Sequence, residues 1–248
     1  ANDGNSGANY IISYASNTTS TINQAALTIS ALAQTKVYDG TTLVPSLALG
    51  TGYGVSGLVG GESLSSVTLA YANANVSRNG AGAVLSDKVI TANGAIAAAG
   101  TDLANYAVSY VGNTASTITP YAVSLTGGRV YDATTAVNAS VLTIGTLVGS
   151  EGLSLSGAGV LANKNVGTGK VVGLGSLNLV NGTGLASNYT LVGGSILADV
   201  TPASLTVTTS DVVKTYDGNL SVAGATVSPT PVVKAGSNTQ LFGNDTLN

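Results

Sequence analysis

Three features of this 248-residue sequence predict an all-β fold of tandem immunoglobulin-like β-sandwich units, arranged as beads on a string. Apolar residues alternate with Ser and Thr at a period of two, as in a strand with one face in a core. Glycine-rich breaks separate these runs. A set of short motifs recurs at about 80–95 residues, the size of a domain. The alternative is a β-solenoid, whose rungs recur every ~20–30 residues; no period that short is visible.

The elements follow in chain order. Asn9-Tyr10, Asn105-Tyr106 and Asn188-Tyr189 each open an alternating run, and Gln24, Pro120 or Pro202 stands 14 or 15 residues after the Asn. Cutting there makes 1–23 the C-terminal part of a repeat, 24–119 and 120–201 complete repeats, and 202–248 the N-terminal part of another. Tyr106–Val111, Ala122–Thr126 and Ser204–Thr208 alternate as strands, with breaks at Gly50-Thr51-Gly52, Gly127-Gly128 and Gly193-Gly194. The most helix-like stretch, 95–103, is short and interrupted by Gly100. About seven strands per repeat are expected. The phase of the chain is read as that of a slice of a longer array. The alternative is that the two partial repeats complete one another between molecules, which leaves the counterpart of Val160–Leu179 unsupplied.

Two further motifs recur. A basic-x-Tyr-Asp pattern comprises Lys36, Tyr38 and Asp39, then Arg129, Tyr131 and Asp132, then Lys214, Tyr216 and Asp217, with the tyrosines 93 and 85 residues apart. The basic residue and the Tyr share a strand face, and Asp-Gly ends the strand as a turn. Ala133 replaces Gly in the second copy, and a left-handed residue there would cost about 1 kcal/mol, so a type I turn is expected. The Tyr ring is expected in the core with its hydroxyl satisfied internally; a sugar or ion site is the functional alternative.

A Leu-x-Gly-x-acid-x-Leu pattern carries Glu62, Glu151 and Asp245, each expected to pair with the basic residue of its own repeat and so fix register. Asp39 and Glu62 could be read as a glycosidase pair. Repetition in successive units favours a staple instead, and no catalytic residue, cofactor or metal site is expected. Lys164 beside Asn165, and Lys88 near Asn93, raise the chemistry of a Lys–Asn isopeptide bond.

Composition narrows the function classes. The chain has no His and no Cys, which removes Cys/His zinc sites, Ser-His-Asp triads and disulfides. Eight cations against eleven acids make no basic stripe, so nucleic acid is excluded as a partner. Only 8% of residues are charged, against ~25% in a usual soluble domain. No apolar run approaches the ~20 residues of a spanning helix, so no membrane insertion is expected. Absence of Met and Cys suits an oxidant-exposed, extracellular setting.

Lys36-Val37-Tyr38-Asp39-Gly40-Thr41-Thr42, then Leu-x-Gly-x-Glu, then Asn165-Val166-Gly167-Thr168-Gly169-Lys170, then Asn188-Tyr189, together resemble the YDG repeats of very large secreted bacterial adhesins related to filamentous haemagglutinins. The first repeat departs at Asn75-Val76-Ser77-Arg78-Asn79-Gly80, the second at Ala133. The resemblance implies an extracellular stalk or matrix filament at the bacterial surface or in biofilm, exported through an outer-membrane partner, and no enzyme. Weakly charged edge strands make self-association into fibres an expected property. Neighbouring units are expected to meet mainly through short linkers, Ile118-Thr119-Pro120 and Val200-Thr201-Pro202. The competing reading is a module that binds surface carbohydrate or a host protein through exposed Tyr53, Tyr71, Tyr110 and Tyr121.

Overall fold

A computed structural model describes residues 4–209, 213–221, 227–231, 241–242 and 245. Residues 11–24 form no strand. In the first repeat the strands are β1 (Ala25–Ala31), β2 (Thr35–Val37), β3 (Tyr53–Ser56), β4 (Leu64–Tyr71), β5 (Lys88–Ala97), β6 (Tyr106–Val111) and β7 (Asn113–Thr119). They make two sheets, in the orders β3-β1-β6 and β2-β7-β5-β4. In β1 the alternation is literal: Leu27, Ile29 and Ala31 are buried and the residues between them are not.

The first two strands divide between the sheets. β1 pairs in parallel with β6, Ala25 opposite Tyr106, and β2 in parallel with β7, Lys36 opposite Ile118. The chain crosses between sheets at Gln34, whose buried amide exchanges two hydrogen bonds with the Ser46 backbone, at 3.0 and 2.8 Å. Its backbone N–H donates to Ser116 Oγ and its carbonyl accepts from the Tyr71 hydroxyl. The backbone and side chain of Gln34 thus all find partners, the condition for burying it.

The second repeat carries β8 (Tyr121–Ala122), β9 (Leu125–Val130), β10 (Ala136–Asn138), β11 (Leu142–Ile144), β12 (Leu153–Ser156), β13 (Ala158–Leu161), β14 (Gly167–Gly173), β15 (Asn178–Asn181), β16 (Tyr189–Thr190) and β17 (Ile196–Thr201). The plan is the same with strands divided: β16 pairs with β8 in parallel, β17 with β9 in parallel, and β12-β15 splits from the six-stranded β10-β13-β14-β17-β9-β11. Gly127 and Gly128, expected at a break, lie inside β9. A Cβ on Gly127 would sit 2.0 Å from the Val141 carbonyl oxygen, so close approach of β11 selects glycine there despite its poor strand propensity. Ala122–Thr126 is likewise interrupted, at Val123 and Ser124.

Beyond them, β18 (Leu205–Thr209) pairs antiparallel with β19 (Val227–Pro231), as β1 does with β3. The chain is therefore all-β; single 3-10 turns at Leu103–Asn105, Ala139–Val141 and Ala186–Asn188 are the helical pieces among the described residues. The parallel closures span 81 residues in the first repeat and 71 in the second, longer than any solenoid rung.

Candidate functional site: the junction between repeats

Each basic residue closes its own turn. Lys36 Nζ lies 2.6 Å from Asp39 Oδ1 and donates to the Thr41 carbonyl at 2.7 Å, while Asp39 accepts from the Thr41 backbone and hydroxyl at 2.9 Å each. Arg129 repeats this on Asp132 and the Thr134 carbonyl, both at 2.5 Å, and Lys214 on Asp217 at 2.7 Å and the Asn219 carbonyl at 2.8 Å. Burial opposes ionisation of Asp39, but the Lys36 ammonium and the Thr41 donors outweigh it and hold the carboxyl below its usual range.

The expected pairing of these cations with Glu62, Glu151 and Asp245 is thus corrected: a partner three residues away, at the turn, takes the charge first. The turn type is corrected too. Gly40, Ala133 and Gly218 have φ of 76°, 61° and 79°, so the position is left-handed in every copy and Ala133 is strained. Ala133→Gly is expected to stabilise the second repeat by about 1 kcal/mol, read as a higher urea midpoint. An unchanged or lower midpoint would contradict the strain.

With the turn closed, Tyr38 points out of its own repeat. Its ring is 4% exposed, and its hydroxyl donates at 2.5 Å to Oε1 of Glu151, in the next repeat. Oε2 of Glu151 accepts from the Tyr189 hydroxyl at 2.6 Å, which itself accepts from the Val148 N–H at 3.1 Å. The two rings meet edge to face with centroids 5.5 Å apart, and Tyr121 makes a second such contact with Tyr189 at 6.1 Å. The hydroxyl of Tyr38 is therefore satisfied by its neighbour rather than internally.

Burial, reinforced by Glu151, pushes the Tyr38 hydroxyl up to about 12 and raises that of Tyr189 as well. A raised tyrosine favours the folded junction fully below the ordinary value of ~10 and loses that contribution as pH rises through its folded value. Alkaline titration is therefore expected to loosen the junction between about pH 10 and 12, read as tyrosinate absorbance appearing with a drop in melting temperature. Ionisation of every tyrosine near pH ~10 would contradict the arrangement.

The third motif locks the same junction. Asn188, 1% exposed, accepts from the Val76 N–H at 2.9 Å and donates to Asn75 Oδ1 at 3.0 Å. Arg78 reaches across to the carbonyls of Ser187 at 2.8 Å and Tyr189 at 3.3 Å. The sequence marked Arg78 as a departure from the motif; in space it is a further clamp. The recurring Asn-Val pair was the signal for this contact, with nothing to say whose residues it meets.

The pattern recurs one repeat later. The Tyr131 hydroxyl donates to Asp245 Oδ2 at 2.6 Å, the Tyr131 ring meets Phe242 edge to face at 6.0 Å, and Lys164 bonds Asp245 Oδ1 at 2.6 Å. Lys164, then Tyr131, hold the Asp245 carboxyl below its usual range. In the first repeat Glu62 accepts from the Tyr106 hydroxyl, which accepts from the Val59 N–H at 3.1 Å.

Position in the array decides exposure. Asn105 is exposed where Asn188 is buried, and Tyr216 is 93% exposed where Tyr38 is buried, each lacking the adjoining motif among the described residues. Repeats therefore meet through packed side chains, not mainly through linkers. The lysine expectations change as well: buried Lys88 donates to Asn73 at 2.7 Å rather than facing Asn93, and Lys164 faces Asp245. Among the described residues no three acids gather as a metal site, and no helix is long and apolar enough to cross a membrane.

Fold and junction together define a tandem β-repeat protein whose recurring residues bind one repeat to the next. The YDG domain matches residues 23–117 and again 113–196, and the chain belongs to the YDG domain family. No curated protein and no solved structure matches it.

Proposed function

We propose that the chain is a structural repeat region of an extracellular bacterial adhesin or matrix filament, a stalk or fibre serving surface attachment, cell–cell adhesion or biofilm. The observation that carries this reading is the junction: the most recurrent side chains, Tyr38, Glu151, Asn188 and Tyr189, are spent on joining repeats end to end. A rigid spacer is the use to which such an arrangement is suited. Low charge and the absence of Cys and Met support an extracellular setting, and export through an outer-membrane partner belongs to the same reading.

Asp39 and Glu62, the carboxylates a glycosidase would need, are engaged by Lys36 and Tyr106, so the reading assigns no catalysis. Recognition of carbohydrate or a host protein through a tyrosine surface loses support, because Tyr53 and Tyr71 are buried and Tyr121 partly so, which leaves Tyr110 as the exposed one of the four. Antibodies against the chain are expected to label intact source cells or their matrix, and deletion of the encoding segment to reduce attachment. An epitope reached only after lysis would overturn the proposal.

A further inference from the structure

We infer that Lys88 and Asn73 join in an intramolecular isopeptide bond, which closes the loop that grips the second repeat. Lys88 opens β5 and is 7% exposed, and Asn73 follows the end of β4. Lys88 Nζ donates to Asn73 Oδ1 at 2.7 Å, and that oxygen is its one acceptor among the described residues. An ammonium withdrawn from water normally gathers a carboxylate or several oxygens. The other deeply placed cations do so: Lys36 has Asp39 and Thr41, and Arg129 has Asp132 and Thr134. Lys88 has a single neutral amide instead.

That arrangement has the parts of an acyl transfer. Burial pulls the Lys88 ammonium below its usual range, against the opposing charge of Asp87, and the neutral amine it favours is the nucleophile. The amide carbon of Asn73 lies one C=O bond, about 1.2 Å, behind Oδ1, so Nζ is within about 4 Å of it, near the ~3–3.5 Å of an attacking contact. Asn73 Oδ1 also accepts from the Asn75 N–H at 3.2 Å, so a donor already faces the oxygen that gains negative charge on attack. The Nζ–Cγ bond forms, the Cγ–Nδ2 bond breaks, and one proton passes from Nζ to Nδ2, which leaves as ammonia. Asp87, next in the chain and hydrogen-bonded to Ser77 Oγ at 2.9 Å, is the carboxylate at hand to carry that proton. No oxidant or co-reactant enters.

The second repeat supplies an internal comparison. Asn163 and Lys170 are the counterparts of Asn73 and Lys88, and Lys170 Nζ lies 2.9 Å from Asn163 Oδ1. Lys170 is less buried, however, and its ammonium also donates to the carbonyls of Asn163, at 2.9 Å, and Asn165. Held by three oxygens, it stays a hydrogen-bonding partner and is expected to remain unlinked.

The loop between Asn73 and Lys88 carries Asn75, Val76 and Arg78, which hold Asn188, Ser187 and Tyr189 of the next repeat. A covalent bond across its base keeps this grip from opening. The bond does not depend on the stalk reading, since its test is the mass of the purified protein.

The denatured full chain is expected to weigh one ammonia, about 17 Da, less than the 24.2 kDa of its sequence. Trypsin does not cut after an amidated lysine, so peptides 37–78 and 79–129 are expected as one branched species, while cleavage after Lys170 proceeds. Lys88→Arg, which keeps the charge, and Asn73→Ala, which removes the amide, are each expected to restore the unlinked mass. The full sequence mass in the unaltered chain overturns the inference. Loss of ammonia with peptide 79–88 released also overturns it, because the loss then belongs to a succinimide at an Asn-Gly pair such as Asn79-Gly80.

Discussion

Glu151→Ala is expected to remove about 3 kcal/mol of coupling between the two complete repeats and to split one thermal transition into two. Glu151 is the shared acceptor of two hydroxyls, from Tyr38 at 2.5 Å and Tyr189 at 2.6 Å. Hydrogen bonds to a charged acceptor contribute about 1.5–3 kcal/mol each, and truncation leaves both hydroxyls buried without this partner. The two losses are not additive, because both donors fall on one group. Glu151→Gln retains an acceptor oxygen without the charge and should lose roughly half as much. In a linear array, stability is a sum of repeat terms and interface terms, so loss of the interface term separates the melting of neighbours. Calorimetry reads this directly; a single transition shifted as a whole would place Glu151 within one repeat's stability rather than between two.

Alanine at Asn188 and at Asn105 should give opposite results, although both substitutions hit the same motif position. Asn188 is buried and satisfies the Val76 N–H, so its loss leaves an unpaired donor at about 2 kcal/mol. Asn105 is exposed, and its replacement is expected to stay within about 0.5 kcal/mol. Urea midpoints of the two variants decide this. Equal losses would mean that the motif acts within each repeat, and the junction would then not be its purpose.

Much of the architecture was legible because three copies of one pattern lie in a single chain. Alternation in Ala25–Ala31 and Tyr106–Val111 gave strands, and recurrence of Tyr38, Tyr131 and Tyr216 gave the length of a repeat. Partnership was not legible. A motif reports that Tyr and Glu recur, but Tyr38 finds Glu151 across 113 residues, and only the folded path decides which copies meet. Ala133 misled for an energetic reason: about 1 kcal/mol of backbone strain is small beside the contacts of Arg129 and Thr134 that fix Asp132. Gly127 misled because close strand approach and a chain break select the same residue.

The division of β1 and β2 between the two sheets has a mechanical consequence. β1 and β2 run parallel to β6 and β7, so the entry and exit of the first repeat point away from each other along the same strands. Tension applied between residues 24 and 119 slides these strands lengthwise, and the hydrogen bonds from Ala25–Tyr106 to Val37–Thr119 must yield together rather than one after another. A hairpin pulled apart at its open end unzips rung by rung; this geometry resists in shear, in both sheets at once, with Gln34 anchoring the place where the pull passes from one sheet to the other.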